Sequence, residues 1–208
     1  LNEGLKKSGC EIYRIGMGPT PMLYFASNYY KADGAIQITG SHNPKQYNGF
    51  KIVLDQNSFF GDDIQELGHF ASKGYSNTYN GFSKTVEINS EYVDEIMKPL
   101  KNIKAHLLEK TIVWDCGNGA TGPTVEMLTT KIPGKHIVLF SDVNGDFPNH
   151  HPDPTNDSTL KTLLKKMKEV DADLGIAFDG DGDRIGVIDK QGRTVAGDLL
   201  TAFLANSI

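Results

Sequence analysis

Three aspartates carry the clearest chemical signal in the chain. Asp179, Asp181 and Asp183 alternate with glycines and follow directly on the apolar residues 174–178, which are typical of a buried strand. Glycine permits a tight turn, so alternate carboxylates can converge instead of pointing to opposite faces as they do along a strand. The pattern predicts a small cage of hard oxygen ligands, which suits Mg²⁺.

Other interpretations of the acidic run are weaker. An EF-hand loop starting at Asp179 requires glycine at its sixth position and glutamate at its twelfth, but Arg184 and Lys190 stand there. A haloacid-dehalogenase-like phosphotransferase would use Asp179 as its nucleophile, but that family has threonine or valine where Asp183 stands. This second interpretation stays open as a weak alternative.

A second polar run, residues 39–44 with the sequence TGSHNP, places Ser41 in a predicted turn. A phosphoserine carries about −1.5 to −2 charges, so it requires cations and hydrogen-bond donors around it. His42, Lys51 and Arg184 can supply them, together with a metal on the aspartates. Phosphoryl transfer depends mainly on positioning and charge stabilisation, which such groups provide. For residues 39–44 alone, a purely structural turn remains an alternative.

The two runs together resemble motifs of the α-D-phosphohexomutase superfamily, in particular its bacterial phosphomannomutase/phosphoglucomutase branch. The matching motifs are TGSHNP, then YNGFK at residues 47–51, and DGDGDR at residues 179–184. Further segments that resemble the family extend the likeness over nearly the whole chain: residues 15–24, 115–120 and 147–154.

The resemblance implies roles for the acidic run and the serine. Ser41 matches the serine that is phosphorylated in the active enzymes of the family. Asp179, Asp181 and Asp183 match the Mg²⁺ ligands, and a phosphoserine oxygen on Ser41 would complete the metal site.

The resemblance also implies roles for three basic residues. Arg184 would bind the phosphate, His42 would lie beside the transferring group, and Lys51 matches the family's general acid/base for the sugar hydroxyl. His42 and Lys51 are also expected to bind phosphate. A cationic, partly desolvated setting beside Arg184 and Mg²⁺ would lower the pKa of Lys51. Without the resemblance, a surface lysine after the hairpin signal at residues 48–49 is a fair alternative interpretation of Lys51.

The activity that the resemblance implies is the interconversion of hexose 1-phosphates and hexose 6-phosphates, with mannose or glucose as the sugar. Phosphoserine would phosphorylate the free hydroxyl, and the 1,6-bisphosphate would then return its other phosphate to Ser41. Mg²⁺ is the expected cofactor, and a hexose 1,6-bisphosphate is the expected activator. Two alternatives stay open: a phosphoglucosamine mutase, and a module that binds Mg²⁺ and phosphate without turnover.

The family has four domains, and this chain is expected to be a fragment of such a protein that lacks full activity. Residues 1–85 are predicted to be an N-terminally incomplete domain 1, with the serine loop. Residues 86–190 are predicted to be domain 2, with the metal loop, and residues 191–208 the truncated start of domain 3. The sugar-binding and phosphate-binding loops of the later domains would lie beyond residue 208.

Strands alternating with helices predict two three-layer α/β/α units with mixed, mainly parallel sheets. Strands are predicted over residues 11–15, 35–39, 49–54, 111–115, 136–140, 174–178 and 185–189. Helices are predicted over residues 1–8, 20–28, 62–72, 91–107 with an interruption at Pro99, 121–130, 158–170 and from 199 onward. Residues 74–83, rich in glycine, serine, asparagine and tyrosine, are a predicted linker.

Composition restricts the partners and the compartment. The 208 residues carry a formal net charge of −5, which argues against a nucleic acid as a partner. No apolar run is long enough to span a membrane, and the start of the chain lacks a signal-peptide pattern. Two cysteines are too few for a disulfide scaffold, so a reducing cytoplasm is expected. The oligomeric state stays open.

Two further sequence patterns suggest other kinds of binding site. Gly117-x-Gly119-x-x-Gly122, with Asp142 after the next strand, is typical of a dinucleotide site, but glycines at a tight strand-to-helix turn need no ligand. A nicotinamide cofactor is therefore disfavoured. His150 and His151 lie in a proline-rich loop, where a structural role is expected rather than metal ligation, because adjacent side chains tend to point apart.

Overall fold

The fold is described from a computed structural model of residues 1–44, 46–74, 79–104 and 109–206. In these ranges the strands are β1 Glu11–Arg14, β2 Gly34–Ile38, β3 Phe50–Leu54, β4 Asn57–Phe59, β5 Phe82–Thr85, β6 Lys110–Asp115, β7 Gly134–Leu139, β8 Leu174–Phe178 and β9 Ile185–Asp189. The α-helices are α1 Asn2–Lys7, α2 Thr20–Tyr29, α3 Asp62–Lys73, α4 Asn89–Met97, α5 Gly122–Thr129, α6 Lys161–Val170 and α7 Gly197–Ala205. No helix in this part of the chain has the length and apolarity that a membrane crossing requires.

The strands form three sheets. The largest has the order β7-β6-β8-β9, with β6 parallel to both neighbours and β9 antiparallel to β8. The sheet β2-β3-β4 is antiparallel, and β1 pairs in parallel with β5. The fold class is therefore confirmed as α/β with parallel and mixed sheets.

Helices cover both faces of the four-stranded sheet, because successive side chains on a strand point to opposite faces. On β6, Val113 packs into a cluster with Leu163 and Met167 of α6. Its neighbour Trp114 packs on the other face, in a cluster that includes Val93 of α4. The sheet is thus the middle of three layers, with its core on either side of β6.

The linker predicted over residues 74–83 extends too far at its C-terminal end. Phe82 and Ser83 belong to β5, where Ser83 lies opposite Ile12 of β1. Residues 75–78 of that segment, and 105–108 of the predicted helix 91–107, lie outside the described ranges. The described part of this helix is α4, and a short 3₁₀-helix, Pro99–Asn102, follows it.

Candidate active site

The aspartate loop lies where parallel strands end side by side. Because β6 and β8 are parallel neighbours, their carboxyl ends share one sheet edge, so the turns after them meet. The N–H of Ala120 donates to the carbonyl oxygen of Gly180 at 2.9 Å. A Cβ at Gly119 would lie 2.7 Å from the same oxygen, so glycine is required for this approach. The turn after β6 therefore supports the turn after β8, which carries the aspartates.

The three aspartates of this loop converge as predicted. Asp179, Asp181 and Asp183 each offer a carboxylate oxygen within 4.8 Å of the others, and the first two are buried at 0% and 2% exposure. Between Asp181 and Asp183, Gly182 turns the chain with φ of 68°, in the left-handed region that glycine adopts without strain. Two buried carboxylates in one turn require compensating positive charge.

The environments of Asp179 and Asp181 shift their pKa values in opposite directions. Burial raises the pKa of Asp179, and repulsion from Asp181 adds to it. Burial also raises the pKa of Asp181, but hydrogen bonds from Lys51 and Thr20 outweigh it, so the pKa lies below its ordinary value. Hydrogen bonds thus favour the charged form of Asp181, whereas burial disfavours the charged form of Asp179.

Ser41 lies against this loop. Its hydroxyl donates to Oδ2 of Asp179 at 3.0 Å, and Nδ1 of His42 lies 3.3 Å from the same hydroxyl. Ser41 has φ of 50°, which is unusual for a residue with a side chain, and its N–H donates to the Thr39 hydroxyl at 2.8 Å. A Cβ at Gly180 would overlap the carbonyl oxygen of Ser41, so the two loops touch through their backbones.

Lys51 also reaches the acidic cluster. Its Nζ lies 2.6 Å from Oδ2 of Asp181 and 2.6 Å from Oδ2 of Asp183. Burial lowers the pKa of Lys51, but hydrogen bonds to these carboxylates outweigh it and leave the pKa above its ordinary value. The raised pKa belongs to the lysine paired with the aspartates, whereas the sequence predicts a lowered pKa beside a bound Mg²⁺.

Arg184 lies between two carboxylates. Its Nε donates to Oδ2 of Asp179 at 3.1 Å, and its Nη1 lies 3.5 Å from Oδ1 of Asp153. Nη2 has no hydrogen-bond acceptor among the described residues and is shielded from solvent. The arginine thus reaches the same aspartate oxygen as the Ser41 hydroxyl.

Sequence reasoning gave no site role to Thr20, Thr39 or Asp153. Thr20 is fully buried, and its hydroxyl donates to Oδ2 of Asp181 at 2.8 Å. Thr39 contributes a hydrogen bond to Asp181 and supports Ser41. The only available signal was that the segments around Thr20 and Asp153 resemble the family, because nothing in a lone threonine marks it as buried beside a carboxylate.

The competing patterns have structural explanations. The turn at residues 117–122 is filled by the protein itself: a Cβ at Gly122 would overlap Ser141, and one at Gly117 would lie 3.1 Å from Pro152. His150 points inward, with Nε2 3.0 Å from the buried carboxylate of Asp115. The ring of His151 packs edge-on against the ring of His42 instead, so the adjacent histidines do point apart.

The donor set fits a hard divalent cation. The acidic triad presents convergent carboxylate oxygens, the ligands Mg²⁺ prefers. Oδ1 of Asp181 is buried and has no hydrogen-bond partner in the described part of the chain. A buried carboxylate oxygen without a donor is costly, and a bound cation would satisfy it.

Comparison with known proteins identifies the family. The model for phosphoglucomutase/phosphomannomutase alpha/beta/alpha domain I matches residues 1–74, and the model for domain II of the same family matches residues 90–192. The chain belongs to the phosphoglucomutase/phosphomannomutase family. The resemblance seen in its sequence motifs is thereby confirmed.

Individual relatives agree with this assignment. The chain is 41% identical over 205 residues to a phosphomannomutase/phosphoglucomutase of Pseudomonas syringae, covering 99% of the chain and 43% of the relative. It is 38% identical to a phosphoglucomutase of Neisseria meningitidis, covering all of the chain and 45% of that protein. The crystal structure of a family protein from Burkholderia thailandensis matches with a TM-score of 0.83 and 36% identity over 94% of this chain and 44% of that one. The chain spans less than half the length of these relatives.

Proposed function

We propose that this chain is the phosphoserine and metal-binding part of a phosphohexomutase that interconverts hexose 1-phosphates and hexose 6-phosphates of glucose, mannose or both. The observation that carries the proposal is the hydrogen bond from Ser41 to Asp179, at 3.0 Å across 138 residues of sequence. It joins a displayed hydroxyl to a cluster of carboxylates suited to a metal. The names of the relatives supply the reaction class.

The contacts support a distinct task for each side chain. Ser41 would carry the phosphoryl group, and Asp179, Asp181 and Asp183 would hold Mg²⁺, which would neutralise charge on the phosphate oxygens. Arg184 lies beside the same Asp179 oxygen as the Ser41 hydroxyl, so a phosphate on Ser41 would lie within its reach.

Two further side chains, His42 and Lys51, would act on the transferring group. His42, 3.3 Å from the Ser41 hydroxyl, would donate to a phosphate oxygen. Lys51 would exchange a proton with the sugar hydroxyl once the aspartates engage the metal, because its pKa stays high while it pairs with them. A hexose 1,6-bisphosphate would phosphorylate Ser41 and so act as the activator.

Residues 1–85 would form the domain with the serine loop, 86–190 the domain with the metal loop, and 191–208 the start of a third domain. A Mg²⁺- and phosphate-binding module without turnover is the second candidate. It is favoured for the isolated chain because this chain spans under half of its relatives.

The test is intact mass of the chain after incubation with glucose 1,6-bisphosphate and Mg²⁺, with peptide mapping. The expected result is one phosphate on Ser41, absent in Ser41→Ala and retained in Ser158→Ala, which removes an exposed serine elsewhere. Interconversion of glucose 1-phosphate and glucose 6-phosphate, measured on the same sample, separates a mutase from a binding module. Absence of phosphate on Ser41, in this chain and in a full-length protein containing it, would refute the carrier role.

A further inference from the structure

Asp153 lies beside Arg184 at the edge of the site. Its Oδ1 is 3.5 Å from Nη1 of Arg184. A hydrogen bond from the Thr155 hydroxyl, with the charges of Arg184 and His42, holds the pKa of Asp153 below its ordinary value despite partial burial. Asp153 is therefore a charged group at neutral pH, placed to attract the guanidinium of Arg184.

The surroundings of Asp153 fix its position. The N–H and the hydroxyl of Thr155 donate to Oδ1 at 3.1 and 2.7 Å, and the hydroxyl of Thr159 donates to the Asp153 carbonyl oxygen at 2.6 Å. Pro152 and Pro154 on either side are both buried. Proline restricts φ, so the backbone here has little freedom. A carboxylate held this firmly can orient a longer, more flexible side chain.

Arg184 is such a side chain, and two carboxylates direct it. Asp179 accepts from Nε at 3.1 Å and belongs to the acidic triad, so a bound metal would compete for its oxygens. Asp153 lies outside the triad and would remain available to Nη1. With Nη1 held there, Nη2 is the part of the guanidinium that has no acceptor among the described residues.

The rest of the same loop supports this placement. His150 anchors it to the interior through Asp115, with Nε2 and a carboxylate oxygen 3.0 Å apart. His151 packs edge-on against His42, with ring centroids 6.3 Å apart. Residues 150–153 thus contact both His42, the neighbour of Ser41, and Arg184.

We propose that Asp153 is a positioning residue that orients Arg184 toward the oxygens of a phosphate on Ser41. The inference rests on the proposed function for the role of that phosphate. As an anion, Asp153 would repel the phosphate itself, so it acts through Arg184. Its removal should weaken phosphate transfer without removing any group that contacts the phosphate.

The first test measures the rate of Ser41 phosphorylation by glucose 1,6-bisphosphate with Mg²⁺. Asp153→Asn keeps an oxygen acceptor for Thr155 but loses the charge, and it should slow the reaction ~10- to 100-fold, as a misplaced binding group does. Asp157→Asn removes an exposed aspartate of the same loop and should leave the rate unchanged. In an Arg184→Gln background, Asp153→Asn should have little further effect, because its action requires the arginine.

The second test does not depend on phosphorylation. The chain has three arginines, Arg14, Arg184 and Arg193, so the ¹⁵N relaxation of each side-chain Nε–H can be followed separately. Arg184 should be ordered in the unmodified chain and more mobile in Asp153→Asn, with no change in Asp157→Asn. Unchanged order in Asp153→Asn would overturn the proposal, as would a normal rate of phosphorylation. If the unmodified chain takes no phosphate, the carrier role fails for this chain while the relaxation data still decide the role of Asp153.

Discussion

Thr20 binds Asp181 twice. Its N–H donates to the Asp181 carbonyl oxygen and its hydroxyl to Oδ2, both at 2.8 Å. Thr20 begins α2 and is fully buried, so this pair ties the start of the helix to the aspartate loop across 161 residues of sequence. The two hydrogen bonds hold both the backbone and the side chain of Asp181 in place.

Replacement of this threonine tests the contact. Thr20→Val keeps the shape but leaves a buried carboxylate without one donor, so the free energy of unfolding should fall by about 1.5–3 kcal/mol. Urea denaturation of the metal-free chain measures the change. Thr20→Ser retains the hydroxyl and should recover most of the loss. A loss in Thr20→Ser as large as that in Thr20→Val would show that the hydroxyl alone does not restore the stability, and it would contradict the weight given to this hydrogen bond.

Asp179 should destabilise the metal-free chain at neutral pH. Its pKa is raised in the folded state, so its protonated form favours folding. That contribution to the free energy of unfolding is complete below the ordinary pKa of 3.8 and is lost as the pH rises through the raised value. Asp179→Asn resembles the protonated form and should unfold at a higher temperature than the unmodified chain in EDTA at pH 7.

Added Mg²⁺ should reverse that order, because a ligand that binds only the folded state stabilises it. The unmodified chain should gain thermal stability with Mg²⁺, whereas Asp179→Asn should gain little. Asp157→Asn, exposed and outside the triad, should respond as the unmodified chain does. An equal Mg²⁺ response in Asp179→Asn would remove this residue from the set of ligands.

His150 should make stability depend on pH in the opposite sense to a paired carboxylate. Its hydrogen bond to Asp115 raises its pKa above 6.5, despite burial. The contribution is therefore complete below pH 6.5 and is lost as the pH rises through the raised value. The free energy of unfolding of the unmodified chain should fall over that interval, and that of His150→Gln should fall less. His69→Gln, an exposed histidine on α3, serves as the control. A ring titration by NMR with a midpoint below 6.5 would contradict the assignment.

Gly180 should tolerate no side chain. A Cβ there would overlap the Ser41 carbonyl oxygen, which is part of the backbone and cannot rotate away. Gly180→Ala should therefore separate the two loops, with an expected cost of about 1–3 kcal/mol in stability and a large fall in the rate of Ser41 phosphorylation. Gly145→Ala, with no atom within 4 Å of the added Cβ, should change neither quantity. Normal phosphorylation of Gly180→Ala would show that this close approach is dispensable.

The sequence predicted the elements that have strong local patterns. The strands β8 and β9 and the helix α2 match their predicted positions to within a residue, because apolar runs and Pro21 mark them clearly. The three residues of β4 were missed, since such a short polar strand is defined only by its pairing with β3. The first two residues of β5 were taken for part of a linker for the same reason: its partner β1 lies about 70 residues earlier.

For the site, residue types were predictable but contacts were not. The convergence of the aspartates follows from their spacing, and Ser41 and Lys51 were identified from motifs that resemble the family. The paired state of Lys51, and the parts played by Thr20 and Asp153, arise only when distant segments meet. A pKa depends on those neighbours, so the raised pKa of Lys51 in its pairing with the aspartates could not be predicted from the sequence.

The backbone conformation of Ser41 is energetically unfavourable for a residue that has a side chain. A residue with a Cβ is less stable at φ of 50° than glycine, by about 1–2 kcal/mol. Ser41→Gly would relieve this backbone cost, but it would also remove the hydroxyl that donates to the buried Asp179 and would leave no group to carry a phosphate. The backbone conformation alone favours glycine, whereas the proposed chemistry requires serine. At this position, backbone conformation and activity favour different residues.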